Sequence, residues 1–243
     1  MNMDQLWAGG PWLPDPDVVR MAMRVQWALV LGVASLWLGT RLRVSLRWSL
    51  AVIVVMWTCL PGMMSPAYWL GLAFQSPSLT SGVLCLMYGV QQWRKRVGQP
   101  RVGVTASVTW QVLWGAGVVV GWMLLMDMLA WWPVSLYAWG FHPVALATVC
   151  MVVLTVWLTS RSDRNACAGL SVVLVVFVVT RLPSGNVWDA LLDPWLWMVL
   201  QATAWQQAWR WRHSRSQGVI HQTVTSTVRP TVPLDVVDGA AGF

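Results

Sequence analysis

Charge is scarce in this chain. Of its 243 residues only 10% are Asp, Glu, Lys or Arg, while 57% are hydrophobic. Soluble domains carry about 25% charged residues, so the deficit excludes a fully water-exposed surface for a protein of this size. Glutamate is absent, and nine aspartates supply all the acidic side chains. Lysine occurs once, as Lys95, beside 15 arginines. A retinal-type Schiff base, which needs a lysine in the last membrane span, is thereby excluded.

Catalytic and redox signatures are missing as well. There is no GxxxxGK[ST] phosphate loop, no HExxH and no GxSxG. Gly115-Ala116-Gly117 with Gly121 has one residue too many for a dinucleotide loop and lies inside an apolar run. The four cysteines, Cys59, Cys85, Cys150 and Cys167, show no metal or redox spacing. In apolar runs they read as small hydrophobes. Of the three histidines, His142, His213 and His221, only His142 is expected on the outer side, so a two-histidine haem or metal site lacks its second ligand. No cofactor is expected. The first 15 residues contain no Lys or Arg. The basic start of a secretory signal is missing, and the first apolar run is expected to stay as an anchor.

What the chain does have is apolar runs punctuated by arginine. A membrane-spanning helix needs roughly 20 mostly apolar residues. Seven runs qualify as candidates, at about 22–40, 48–65, 68–93, 106–131, 143–160, 166–182 and 186–209. Asp15-Pro16-Asp17 before the first has the composition of a helix start. Asn186 and Asp189 open the seventh in a loose capping-box pattern.

The cations fall on alternate sides of these runs. With the N-terminus outside, the inner segments hold Arg41, Arg43, Arg47, Arg94, Lys95, Arg96, Arg101, Arg161, Arg164, Arg210, Arg212, Arg215 and Arg229, and the outer ones hold Arg20, Arg24 and Arg181. Thirteen inside against three outside follows the positive-inside rule. The implied architecture is an all-α integral membrane bundle of seven transmembrane helices, N-terminus outside and C-terminus cytoplasmic, with six spans as the alternative. Residues 1–21 form an outer N-terminal segment, 22–212 the membrane domain, and 213–243 a disordered cytoplasmic tail, polar and without a core. A bacterial inner membrane fits the Arg- and Trp-rich composition.

Tryptophan follows the same division. Trp48, Trp93, Trp157, Trp205, Trp209 and Trp211 fall at inner ends, and Trp69, Trp131, Trp132, Trp139 and Trp188 at outer ends. An indole prefers the interface, where its ring is apolar and its N–H meets water or headgroups. The net charge of +7 is therefore an orientation signal. Nucleic acid is excluded as a partner, and the lipid bilayer is the expected one.

Three features stand out as candidate sites. The first is an acidic outer set: Asp127 near the end of run four, His142 in the Trp-rich loop after it, and Asp189 and Asp193 in run seven. Asp189 and Asp193 are four residues apart and share a face of a continuous helix, which Trp197 extends. Asp193 lies two turns into the run, where an ionisable group is costly and marks a ligand site or pathway. The second is the polar segment Gln75–Ser81, which interrupts run three at Pro77. It is either a loop after a short interfacial helix at 66–75 or the break in one span that lines a cavity. The third is Gly117 and Gly121, a GxxxG pair that permits close helix packing, within the chain or in a homodimer.

Three functional classes follow. A non-enzymatic accessory or scaffold membrane protein, with a membrane-protein partner, ranks first on the short loops. A transporter or ligand-binding bundle, using Asp127, Asp193 and Gln75 on one cavity, ranks second. A membrane enzyme at the outer interface, with Asp193 or His142 as acid or base, ranks third.

Overall fold

The Asp15 carboxylate accepts from the Asp17 N–H at 2.8 Å, and Pro16 occupies the first turn of the first helix. There its missing N–H costs nothing, because that group has no intrahelical partner. The computed structural model describes residues 14–99, 108–133, 135–159 and 164–227. These are all-helical, with no strand among them. The order is α1 (Pro16–Leu38), a 3-10 turn (Gly39–Arg41), α2 (Val44–Cys59), α3 (Pro66–Phe74), α4 (Leu79–Arg96), α5 (Val108–Met128), α6 (Leu136–Trp139), α7 (Pro143–Thr159), α8 (Arg164–Thr180), α9 (Val187–Leu191) and α10 (Pro194–Thr227).

Each apolar run overlaps one long helix; in runs two to five that helix is shorter than the run, whereas α1 and α10 are longer than theirs. Two segments, Pro16–Arg41 and Trp110–Met128, are long and apolar enough to cross a membrane. Val44–Cys59, Pro143–Thr159 and Cys167–Thr180 are apolar but shorter. At 1.5 Å per residue the 16 residues of α2 reach about 24 Å, short of a hydrocarbon core of about 30 Å. The difference comes from chain breaks that hydrophobicity alone does not register. Gly62 takes a positive φ of 81° after α2, and Gln75 one of 62° after α3. Arg181 and Gly185, at 55° and 83°, end α8 and lead into α9.

Run three is thus two helices, α3 and α4, separated by Gln75–Ser78. Run seven is also divided. α9 stops at Leu191, Leu192 is extended, and α10 begins at Pro194. A proline disfavours helical backbone in the residue before it, which puts the break at Asp193. α1 already includes residues 16–21, and α10 continues through 213 as helix to Thr227. Residues 228–243 lie outside the described residues, as do 1–13.

The chain divides into two compact units, one ending at Gln201 and one starting at Ala202. In the first, α1 packs against α2, α3 and α4, α4 against α8 and α9, and α7 against α8. A core of Leu79, Ala145, Val173, Phe177, Leu182, Val187 and Ala190 joins the start of α4, the start of α7, the end of α8 and α9. Val19 and Ala22 from the first turns of α1 pack onto it. Elsewhere the last turn of α1 meets the start of α2, where Arg47 Nε donates to the Leu36 carbonyl. The start of α2 meets the end of α4, where Trp48 and Trp93 pack edge to face at 5.6 Å. In the second unit the helix carries exposed Trp205 and Trp209, and Trp209 lies 4.9 Å from the His213 ring.

Candidate functional site

Asp193 sits where two helix starts converge. Its Oδ1 accepts from the Leu196 N–H at 2.6 Å, capping α10. Its Oδ2 accepts from the Ser78 N–H at 2.7 Å and from the Ser81 hydroxyl at 2.5 Å. Ser78 is itself the cap of α4, accepting from the Ser81 N–H at 3.1 Å. One carboxylate therefore ties the N-terminal ends of α4 and α10 together. It is 6% exposed, and among the described residues the one ion pair joins Arg20 to Asp17. The charge is met by backbone and hydroxyl donors and by the positive ends of two helix dipoles.

The surroundings extend this junction. The Thr80 hydroxyl donates to the Ala190 carbonyl at 3.2 Å, binding α4 to α9. The Trp27 indole donates to the Gln75 carbonyl at 2.9 Å, and the Ser76 hydroxyl to the buried Gln26 side chain. The two breaks therefore meet at the Ser78–Asp193 bond, and the first also meets α1; the Gln75 carbonyl, the Ser78 N–H and the Leu192 N–H find partners within the protein, as apolar surroundings require.

Asp127 and Asp189 belong to a different set, centred on Tyr137. The Tyr137 N–H donates to Asp127 at 2.6 Å, and its hydroxyl donates to Asp189 at 2.8 Å. Ser184 also donates to Asp189. Asn186, fully buried, caps α9 through the Trp188 N–H at 3.0 Å and donates to the Tyr137 carbonyl at 2.9 Å. The Trp188 indole donates to the Leu136 carbonyl at 3.0 Å. This set clamps the α5–α7 connection onto the α8–α9 connection. The Tyr137 hydroxyl is pushed up from 10.0 to about 12, first by desolvation and then by its bond to the Asp189 carboxylate and the charge there.

Several sequence expectations change at this point. Asp189 and Asp193 do not share one helix face, because the helix breaks between them. Asp127, Asp193 and Gln75 do not converge: Asp127 joins the Tyr137 set, while Gln75 and Asp193 flank the two-helix junction. Gln75 contributes its carbonyl and its backbone bend. His142 precedes α7, where its N–H donates to the Trp139 carbonyl and its carbonyl accepts from Ala145. Among the described residues no group of three or more His, Cys, Asp or Glu is placed to hold a metal.

Gly117 and Gly121 pack within the chain. A Cβ on Gly121 would lie 2.2 Å from the Trp197 ring, and one on Gly117 would lie 2.8 Å from Leu200. The Trp197 indole donates to the Val118 carbonyl at 3.2 Å and meets Trp122 edge to face at 5.2 Å. The stripe of small residues on α5 is a seat for the first turns of α10, and Trp197 is its packing partner.

Tyr137 and Ser184 went unrecognised in the sequence. No spacing rule links Tyr137 to Asp189 across α7 and α8. The Asp193-Pro194 pair, in contrast, repeats the signal of Asp15-Pro16, and reading it as a cap would have found the break. No family model, curated protein or solved structure matches the chain.

Proposed function

We propose that this chain is a seven-span integral protein of a bacterial inner membrane, N-terminus outside and C-terminus cytoplasmic, acting as a non-enzymatic accessory or scaffold subunit for another membrane protein. The observation that carries the membrane assignment is an inverted distribution of polarity. Thr58, Ser65, Ser78 and Asn186 are at most 1% exposed, whereas on α5 and α7 Met128, Val112, Met151 and Leu158 are 60–79% exposed. Water does not favour so many large apolar side chains left open, and a bilayer makes their exposure favourable.

The alternation of sides has support in the packing. The start of α4, the end of α5, the start of α7 and the end of α8 are the ends assigned outside by charge, and they are joined through the core and the Tyr137 set. The end of α1, the start of α2 and the end of α4, assigned inside, meet through Arg47, Trp48 and Trp93. The shorter helices would cross with their flanking residues extended or with local thinning of the bilayer.

The scaffold role is supported by how the acidic groups are used. Asp193, Asp189 and Asp127 all accept from this chain's own backbone, serine and tyrosine donors. Purification from native membranes in mild detergent should then retain a second membrane protein in fixed proportion. A monomer free of partners, with in vivo crosslinking also negative, contradicts the scaffold role.

One observation favours a transporter as the second reading. Two interrupted helices whose N-terminal ends face one carboxylate resemble the discontinuous helices around which transport sites are built. Transport requires that Asp193→Asn abolish flux while the protein still folds and inserts. Unchanged growth and uptake in that variant contradict it.

A further inference from the structure

The inner ends of α1, α2 and α4 carry a concentration of cations that no carboxylate among the described residues pairs with. Arg41, Arg43 and Arg47 come from the α1–α2 turn, and Arg94, Lys95 and Arg96 from the last turn of α4. Two sequence segments about 50 residues apart are brought together by the 5.6 Å contact of Trp48 with Trp93. The Arg96 guanidinium lies over both rings, 5.8 Å and 5.6 Å from their centroids. Among the described residues none of the six cations pairs with a carboxylate.

Helix electrostatics account for part of this set only. Cations in the last turn of α4 favourably meet the negative end of its dipole. Arg41, at the end of the 3-10 turn that continues α1, shares that benefit, but Arg43 precedes α2 and Arg47 lies in its first turn, where the dipole is positive. Six cations without a counter-charge, beside two indoles, match the layout of the inner membrane interface. There phosphates lie next to the aromatic belt.

We propose that this surface docks the headgroup of an anionic phospholipid, with the phosphate held by the arginines of the α1–α2 turn and of α4, and the glycerol region against Trp48 and Trp93. The proposal rests on the membrane reading above. Arg96 is the positioning residue, held by the indole faces through cation–π contact. Arg47, tied to the Leu36 carbonyl, fixes the α1–α2 turn, and the Trp48–Trp93 contact sets it against α4.

The test is native mass spectrometry of the full chain in mild detergent, after exhaustive washing and re-addition of phosphatidylglycerol or phosphatidylcholine. Phosphatidylglycerol should be retained and phosphatidylcholine lost. The triple variant Arg41→Gln/Arg43→Gln/Arg96→Gln should hold phosphatidylglycerol more weakly by about fivefold per cation removed, and Arg20→Gln should match the wild type. Equal retention of the two lipids by the wild type, or unchanged retention by the triple variant, overturns the proposal. Displacement of the lipid by millimolar inorganic phosphate also overturns it, since the ligand would then be free phosphate. The wild-type comparison stands even if the triple variant misfolds. Carbonate extraction separates the two levels: a chain released into the soluble fraction removes the membrane reading, while a membrane-bound chain without lipid preference removes only this site.

Discussion

Asp193 illustrates how a single buried acid can be structural. Removing its carboxylate leaves the Ser78 N–H, the Ser81 hydroxyl and the Leu196 N–H without their acceptor, at two helix starts at once. Each lost cap costs about 0.5–2 kcal/mol, and bonds to a charged acceptor lie at or above that range. Asp193→Ala should therefore lower stability by about 2–4 kcal/mol in denaturant unfolding in detergent. Asp193→Asn should lose less, because asparagine still caps α10. A loss from Asp193→Ala below about 0.5 kcal/mol, the level of a neutral surface change, would mean the junction does not hold the two helices.

Tyr137 gives a prediction on the alkaline side. Its hydroxyl is raised from 10.0 to about 12 by desolvation and by Asp189, so folding favours the neutral phenol. The stabilisation is fully present below pH 10, and it is lost as pH rises from 10 towards about 12. A phenolate absorbance titration of the wild type minus Tyr137→Phe should show one late-ionising phenol, and the wild type should lose stability across that window relative to the variant. Because the residue is partly exposed, the size of the effect is reduced by solvent screening. A difference titration centred at or below pH 10 contradicts the Tyr137–Asp189 bond.

Between elements, the decisive contacts are close approaches. The Gly121 seat accepts the Trp197 ring so tightly that an added methyl has no room. Gly121→Ala should destabilise by about 1–3 kcal/mol through overpacking. Gly115→Ala, where nothing lies within 4 Å, should be neutral or stabilising, by up to about 1 kcal/mol from helix propensity. Thermal unfolding of both variants in detergent separates them, and equal effects would rule out the packing seat. The glycine pair was legible in the sequence as a packing motif, but its partner was not, since nothing in a GxxxG spacing says which helix will fill it.

Helix interruption was legible to the same uneven degree. Pro77 and the polar residues around it announced the break after α3. The break at Asp193 was hidden because Leu191, Leu192, Trp195 and Leu196 keep the segment apolar through it. Apolar run length measures hydrophobicity, whereas Asp193-Pro194 is a backbone signal. Runs two to five consequently overestimated their helices, run seven missed its break, and the acidic residues assigned to one face separated into two hydrogen-bonded sets. Tyr137 was invisible for another reason: its role depends on the end of α5 and the start of α9 lying side by side, a tertiary fact with no local pattern.

At the scale of the whole molecule, charge distribution and packing agree on which helix ends belong together, and the exposed apolar side chains of α5 and α7 are the support for the proposed membrane. Seven crossings with the N-terminus outside place Ser135 and Ser184 on one side of the membrane and Gln99 and His213 on the other. The direct measurement is labelling of single cysteines at these four positions, in a background with the four native cysteines replaced, using a membrane-impermeant maleimide on intact cells. Positions 135 and 184 should react from outside, and positions 99 and 213 only after the membrane is opened. Reaction of position 213 from outside, or protection of 135 and 184 until the membrane is opened, would contradict the seven-span topology.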